Sequence, residues 1–296
     1  MTSFTWRYKF IGPKKLGNFL YGKLVSHTLL KKVKFHGGRI LVNNHARRTN
    51  YNLQPNDLVT MILPPEPSNP NVVPSDKPIK IIYESHNFLV VHKPGGIASI
   101  PNSRYKQDTL TNRVKGYFIR KKYSNLRIHI VNRLDRNTSG MVIFAKNHFA
   151  HSVLDYQLKN NQIIKKYITV IKGRLNPKTG LIILPIGQDS NSLVKQRVSV
   201  NGKYSKTGFR VIDETNHYTL VSVRLYTGRT HQIRVHFSTI GHPIIGDWLY
   251  GKPIPSKRLA LHCYYLSFYD VFRQKRLKLF DPVPFWIQHF YDIEHK

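Results

Sequence analysis

Residues 64–78 read PPEPSNPNVVPSDKP, and no regular element survives that spacing of prolines. Each proline removes a backbone donor and fixes its own φ, so neither a helix nor a central strand runs through. The segment divides the chain into a short N-terminal part and a long C-terminal one.

In the N-terminal part Leu16, Phe19, Leu20 and Leu24 recur at helical spacing. Ser26 is placed to cap a second helix that buries Leu29, Leu30 and Val33 and turns Lys31, Lys32 and Lys34 outward; Gly37 and Gly38 stop it. Runs at 39–43 and 58–63 read as strands, with Pro55, Asn56 and Asp57 as the turn before the second. After the prolines come strand-like runs at 79–84, 88–93, 128–132, 141–146, 167–172, 209–212 and 218–225, and helical stretches at 109–118, 148–158 and 231–240. Many strands, few helices and no regular alternation predict an α+β domain on a largely antiparallel or mixed sheet with flanking helices. No repeat at solenoid or propeller periods is present.

Charge narrows the function. Lys plus Arg number 47 against 15 Asp plus Glu, a formal net charge of +32 spread along the whole chain. Self-repulsion on that scale points to a polyanionic partner. A membrane surface fits less well, since no helix pairs a continuous basic face with a bulky apolar one. Cys263 is the single cysteine, which excludes an intrachain disulfide and a multi-cysteine zinc site. With no apolar run of signal-peptide or membrane-span length, the chain reads as a reduced cytoplasmic protein, with monomer as the default state.

The segment 131–140, VNRLDRNTSG, lies between two apolar runs and must be a tight polar loop. In it Asp135 stands between Arg133 and Arg136, in a chain poor in acids. Guanidinium neighbours favour the ionised carboxylate, which suits a nucleophile better than a general acid.

This loop resembles the H-R-L-D-x-x-T-S-G signature of the RluA-type pseudouridine synthases. Asn132 stands where that family usually has His. The 165–171 segment, KKYITVI, resembles the family's K-x-Y-x-A-x-V strand, and 225–236, LYTGRTHQIRVH, resembles its L-x-T-G-R-T-H-Q-I-R-V-H. Residues 88–96, ending in Lys93-Pro94-Gly95-Gly96, look like its opening strands and K-P-x-G turn. The resemblance spans about 79–287. It implies a catalytic domain with a central cleft that converts uridine to pseudouridine in RNA without a cofactor. The catalytic carboxylate falls on Asp135, its arginine partner on Arg234, and the tyrosine that offers a flat face to the displaced uracil on Tyr167. Arg133 is implied in displacing the base, and Arg136, Thr138, Arg229, His231 and Gln232 in holding the substrate. Asp247, in a turn-rich segment away from the loop, reads as structural.

The N-terminal part is similar to the S4 RNA-binding domain, whose G-x-(I/V)-x-V-N run survives at 38–43, GRILVN. That similarity implies RNA contacts from Lys31, Lys32, Lys34 and Arg39. The expected organisation is an S4-like α+β domain at 12–63, a linker at 64–78 and a synthase domain at 79–290. The arrangement resembles members acting on large-subunit ribosomal RNA; transfer RNA is the other substrate class. His231 and His236 lack the His-Glu-x-x-His pattern and a third ligand, so no metal is expected. Two rivals remain: a non-catalytic RNA-binding assembly factor, and a hydrolase built on Ser139, which lacks a Gly-x-Ser-x-Gly elbow.

Overall fold

The computed structural model describes residues 2–251 and 258–289; the domain end drawn at 290 lies outside them. The N-terminal unit comprises β1 (Ser3–Arg7), β2 (Lys14–Lys15), α1 (Leu16–Gly22), α2 (His27–Phe35), β3 (Arg39–Val42), β4 (His45–Ala46), β5 (Asn52–Leu53) and β6 (Leu58–Ile62). Four strands form an antiparallel sheet in the order β1–β6–β3–β4. Ser26 caps α2, its hydroxyl accepting from the Leu29 amide at 3.2 Å. Leu29, Leu30 and Val33 are buried while Lys31, Lys32, Lys34 and Arg39 are exposed. A Cβ at position 38 would lie 2.7 Å from the Val33 Cα and 2.9 Å from the Ile62 carbonyl oxygen, so only glycine lets α2 meet the sheet there. Asn43 takes a left-handed φ of 50° and ties its amide to Asp57 at 2.7 Å.

The C-terminal unit comprises β7 (Lys80–Glu84), β8 (Phe88–Lys93), α3 (Leu110–Arg120), β9 (His129–Ile130), β10 (Ser139–Ala145), α4 (His148–Lys159), β11 (Ile164–Lys172), β12 (Thr179–Ile183), β13 (Ile186–Gln188), β14 (Gln196–Val198), β15 (Lys206–Glu214), β16 (Tyr218–Leu225), α5 (Gln232–Thr239), β17 (Leu261–Asp270), β18 (Lys275–Phe280) and α6 (Phe285–Gln288). Its main sheet runs β12–β15–β16–β11–β17–β10–β8–β7, with β18 on β17 and β9 on β10. Among the described residues only β10 and β17 pair in parallel; the other ladders are antiparallel. This is the mixed α+β architecture the sequence predicts.

Two expectations needed revision. No strand is expected after residue 225, yet β17 is central to the sheet. Its residues LHCYYLSFYD are covered on both faces at most positions, so they lack the alternation that marks a half-exposed strand. The strand expected at 128–132 shrinks to β9, because the buried Asn132 side chain replaces a backbone partner: its Oδ1 accepts from the Ile143 amide at 2.8 Å.

The 64–78 segment carries neither helix nor strand, and it is strapped to the C-terminal unit. Asn112 Nδ2 donates to the Val73 carbonyl at 2.6 Å and Lys115 Nζ to that of Asn69 at 3.0 Å. Glu66 accepts from the His148 amide and from Asn125 Nδ2, each at 3.0 Å. Phe149 and Val153 of α4 pack into the core of the N-terminal unit beside Val25, Leu29 and Trp6. The two units therefore share an apolar interface.

Burial gives this interior a pH dependence. It lowers both His148 and His262 to about 4. Between their usual 6.5 and about 4 the unfolded chain binds protons that the folded chain refuses, so stability is full above that window and falls as pH drops through it. Burial alone would raise Glu66, but His129 and the His148 amide hold it below its ordinary value, which adds further loss in acid. A thermal midpoint that declines steadily from pH 6.5 to 4 is expected, with a shallower decline in His262→Gln; a flat profile contradicts this.

Candidate active site

One cross-strand row assembles the site. Lys93 of β8 pairs with Gly140 of β10, Gly140 with Cys263 of β17, and Cys263 with Tyr167 of β11. The turn after β8, the loop before β10 and the tyrosine thus converge within three strand spacings of about 4.8 Å each. Gly140 is the close approach in this row: its φ is 116°, and a Cβ would sit 2.4 Å from the Cys263 carbonyl oxygen. Gly140→Ala is expected to cost about 2–4 kcal/mol of stability, read from denaturant midpoints, because the loop end must leave β17.

The loop carrying Asp135 is braced from beneath. Leu134 is buried in the core, and the Ser99 hydroxyl donates to its carbonyl at 2.7 Å while accepting from its amide at 3.1 Å. Lys93 Nζ donates to the carbonyls of Pro94, Ile97 and Arg136 at 3.0, 2.9 and 2.9 Å. Burial pushes Lys93 down to about 7, with Asp135 opposing; three carbonyl acceptors match the three N–H bonds of its ammonium. None of these braces is visible in the loop's own sequence.

Asp135 stands in a cavity of about 660 Å³, with its side chain 26% exposed. Tyr167, Arg234, Arg133 and all five residues expected to hold substrate line the same cavity. Lys31, Lys32, Lys34 and Arg39 lie apart from it on α2 and β3, and Lys32 Nζ sits 3.5 Å from His148 Nδ1.

The cations that face Asp135 are not its sequence neighbours. Arg133 is exposed in the cavity wall, and Arg136 turns away, its Nε donating to the Gly96 carbonyl at 2.9 Å. Side chains one apart in a tight loop diverge, so adjacency in sequence does not make an ion pair. The carboxylate instead faces Arg234 Nη1 at 3.5 Å and His231 Nε2 at 3.9 Å.

Arg234 is held by Asp247. Two charge-assisted bonds, Nε to Oδ2 at 2.8 Å and Nη2 to Oδ1 at 2.7 Å, form a bidentate pair. Burial works against the guanidinium charge, but Asp247 more than offsets it, and Arg234 is raised above its usual value. The shorter, bidentate contact sets the plane of the group, leaving Nη1 directed at Asp135. Asp247, read from its turn-rich segment as structural, thus contacts the arginine that faces Asp135.

His231 adopts a left-handed φ of 57°, a strained conformation costing about 1 kcal/mol. Tyr250 Oη accepts from the Gln196 amide at 2.8 Å and lies 2.8 Å from His231 Nδ1. Its own proton is therefore free to donate to Nδ1, which places the histidine proton on Nε2, facing Asp135. Burial lowers His231, so the neutral ring prevails at neutral pH.

The remaining expected contacts divide. The Gln232 side chain accepts from Thr227 Oγ1 and the Arg229 amide and donates to Thr207 Oγ1 and the Lys206 carbonyl. Its capacity is spent on tying the 227–232 loop to β15, so it braces and does not bind. Arg229 is exposed, its Nε anchored on the Tyr204 carbonyl at 3.1 Å. Thr138 Oγ1 is buried with no hydrogen-bond partner among the described residues. Burial raises the Tyr167 phenol well above its usual range, and Asp135 adds to this. A phenol held protonated suits a stacking face and weakens the tyrosine as an acceptor of a carbon-bound proton.

The hydrolase reading falls away here, and His236 lies outside the site. His236 is fully buried, with Nδ1 on Thr207 Oγ1 at 2.9 Å and Nε2 on the Leu184 carbonyl at 3.0 Å, so it is a core residue. Ser139 does not line the cavity and its Oγ meets the buried His262 Nδ1 at 2.9 Å, out of reach of a substrate.

Comparison with known proteins shows the family. A family model described as RNA pseudouridylate synthase matches residues 87–239. The uncharacterized RNA pseudouridine synthase YjbO of Bacillus subtilis is 34% identical over 263 residues, 88% of this chain and 92% of that protein. The ribosomal large subunit pseudouridine synthase D of Borreliella burgdorferi is 38% identical over 202 residues, 66% of this chain and 62% of that one. Among solved structures, human RNA pseudouridylate synthase domain containing 1 superposes with a TM-score of 0.61 at 26% identity, over 71% of this chain and 86% of that chain. On its sequence, its fold and the residues gathered around Asp135, the chain belongs to the RNA pseudouridylate synthase family and is an isomerase of uridine in RNA.

Proposed function

We propose that the chain isomerises uridine in large-subunit ribosomal RNA with Asp135 as nucleophile. One observation carries this: Asp135 is the single carboxylate among the described residues lining a cavity rimmed by Arg133, Arg136, Lys165, Arg224 and Arg229. The cations attract the RNA backbone, and the lone anion meets whatever base enters. Tyr167 offers the flat face, Arg234 orients the carboxylate, and Arg133 fills the gap left by the displaced base. The reaction breaks the bond between C1′ and N1, turns the ring and forms a bond between C1′ and C5; the C5 proton leaves as N1 gains one. Nothing is consumed, so no cofactor is required.

The S4-like unit at 12–63, with Lys31, Lys32, Lys34 and Arg39 outward, supplies a second RNA contact, and 79–290 does the chemistry. The ribosomal substrate is supported by relatives in Borreliella burgdorferi and Buchnera aphidicola, each a ribosomal large subunit pseudouridine synthase D. A monomer in the cytoplasm suits that substrate. The test uses purified chain and transcripts of large-subunit ribosomal RNA or of transfer RNAs, labelled with tritium at uridine C5. Release of tritium from one or a few uridines of the ribosomal transcript alone is expected; release from transfer RNA alone overturns the substrate.

A further inference from the structure

Two tyrosines that no shared motif accounts for stand in the cavity wall. Tyr105 lies in the loop between β8 and α3, beyond the Lys93–Gly96 turn; Tyr226 occupies the variable position of the L-x-T-G-R-T run. Both line the cavity. Strands β8 and β16 lie on opposite sides of the central β11–β17–β10 group, so the two rings enter from the two halves of the sheet.

Each ring is paired with cations. The Arg136 guanidinium lies 4.8 Å and that of Arg104 5.7 Å from the Tyr105 centroid. Arg224 lies 4.7 Å and Lys206 Nζ 5.0 Å from the Tyr226 centroid. Both platforms are built in. The Asn102 side chain accepts from the amides of Arg104 and Tyr105 at 3.0 and 2.8 Å, and so shapes the turn that presents Tyr105. Gly208 makes room for the other ring, since a Cβ there would already press on Tyr226 Cε2 at 3.1 Å. A ring stacked with a guanidinium is a flat, cationic surface, suited to an unstacked base and the phosphate next to it.

We infer that Tyr105 and Tyr226 stack the bases flanking the target uridine, so the substrate is an unpaired segment whose neighbouring bases are splayed apart. The inference rests on the reading that Asp135 acts on a uridine in this cavity, and it assigns substrate shape to residues outside the shared motifs. A paired uridine has neighbours locked in a duplex and offers no face to either ring.

The test is a mutant cycle on binding at fixed salt, read by fluorescence anisotropy. One probe is an end-labelled nine-nucleotide RNA with a central uridine among adenosines; the other has abasic residues on both sides of the uridine. Tyr105→Leu and Tyr226→Leu are each expected to weaken binding of the first probe roughly 5- to 100-fold and of the second by less than about twofold. Tyr→Phe at either position retains binding, and wild-type affinity for the abasic probe shows that the variants are folded. Equal losses on both probes, or none on either, overturn the inference. Tritium release by the native chain is scored separately: release without the cycle sinks the platforms alone, and the cycle without release sinks the Asp135 reading alone.

Discussion

Asp135→Asn is expected to abolish isomerisation, by about four orders of magnitude or more, while RNA affinity stays within about threefold. The substitution keeps size and removes the charge and the nucleophile together. Arg234 remains fixed by Asp247 at 2.7 and 2.8 Å, so the cavity keeps its shape. Affinity is carried mainly by phosphate contacts from a chain of net charge +32, and one buried-edge carboxylate contributes little to that. Tritium release under single-turnover conditions, paired with anisotropy for affinity, reads both quantities. Residual turnover within tenfold of the native rate would contradict the role of Asp135.

The second large effect is expected at a residue that touches no substrate. Asp247→Ala leaves the Arg234 guanidinium buried without its bidentate partner, which costs about 3–5 kcal/mol of stability. Activity falls as well, because Arg234 loses the contact that aims Nη1 at Asp135, and a misplacement of about 1 Å costs roughly 100-fold in rate. Asp247→Asn is the informative variant. It keeps an acceptor for one guanidinium nitrogen and removes the charge, so it should fold, lower kcat and leave KM nearly unchanged. A variant that folds with native kcat would show that Asp247 serves the fold alone. Arg234→Lys cannot repair the arrangement, since a single ammonium cannot meet two Asp247 oxygens and Asp135 in one plane.

Much of this was legible in the sequence for a physical reason. The loop at 131–140 and the run at 225–236 are polar segments that must be held in one shape, and shape of that kind is written in specific residues: Gly140 against Cys263, Thr227 and Gln232 across their own turn. The amphipathic α2, with Ser26 as its cap, declares itself through periodicity. The parts that escaped reading are of two kinds. The strand β17 is covered on both faces and so shows no alternation. The braces of the site, Lys93, Ser99, Asp247 and Tyr250, act across the fold, reaching Arg136, Leu134, Arg234 and His231 from 13 or more residues away. The flanking arginines misled for the converse reason. Closeness in sequence suggested an ion pair with Asp135, but the loop turns Arg136 onto Gly96 and Tyr105, and the true partner comes from α5.

The strap at 64–78 shows the same limit. Prolines announce that no element runs through it, yet they say nothing of Glu66 meeting His129 and His148, or of Asn112 and Lys115 fastening its carbonyls. The carbonyls of this extended segment are bonded to side chains of α3, which ties the stretch between the two units to the catalytic side of the chain.

Pseudouridine mapping of ribosomal and transfer RNA, from cells lacking this gene and restored with the native chain or with Asp135→Asn, is the most direct measurement. One or a few uridines of the large-subunit RNA that lose the modification, and regain it only with the native chain, is the predicted result. Identical maps in all three strains, or full restoration by Asp135→Asn, would contradict it.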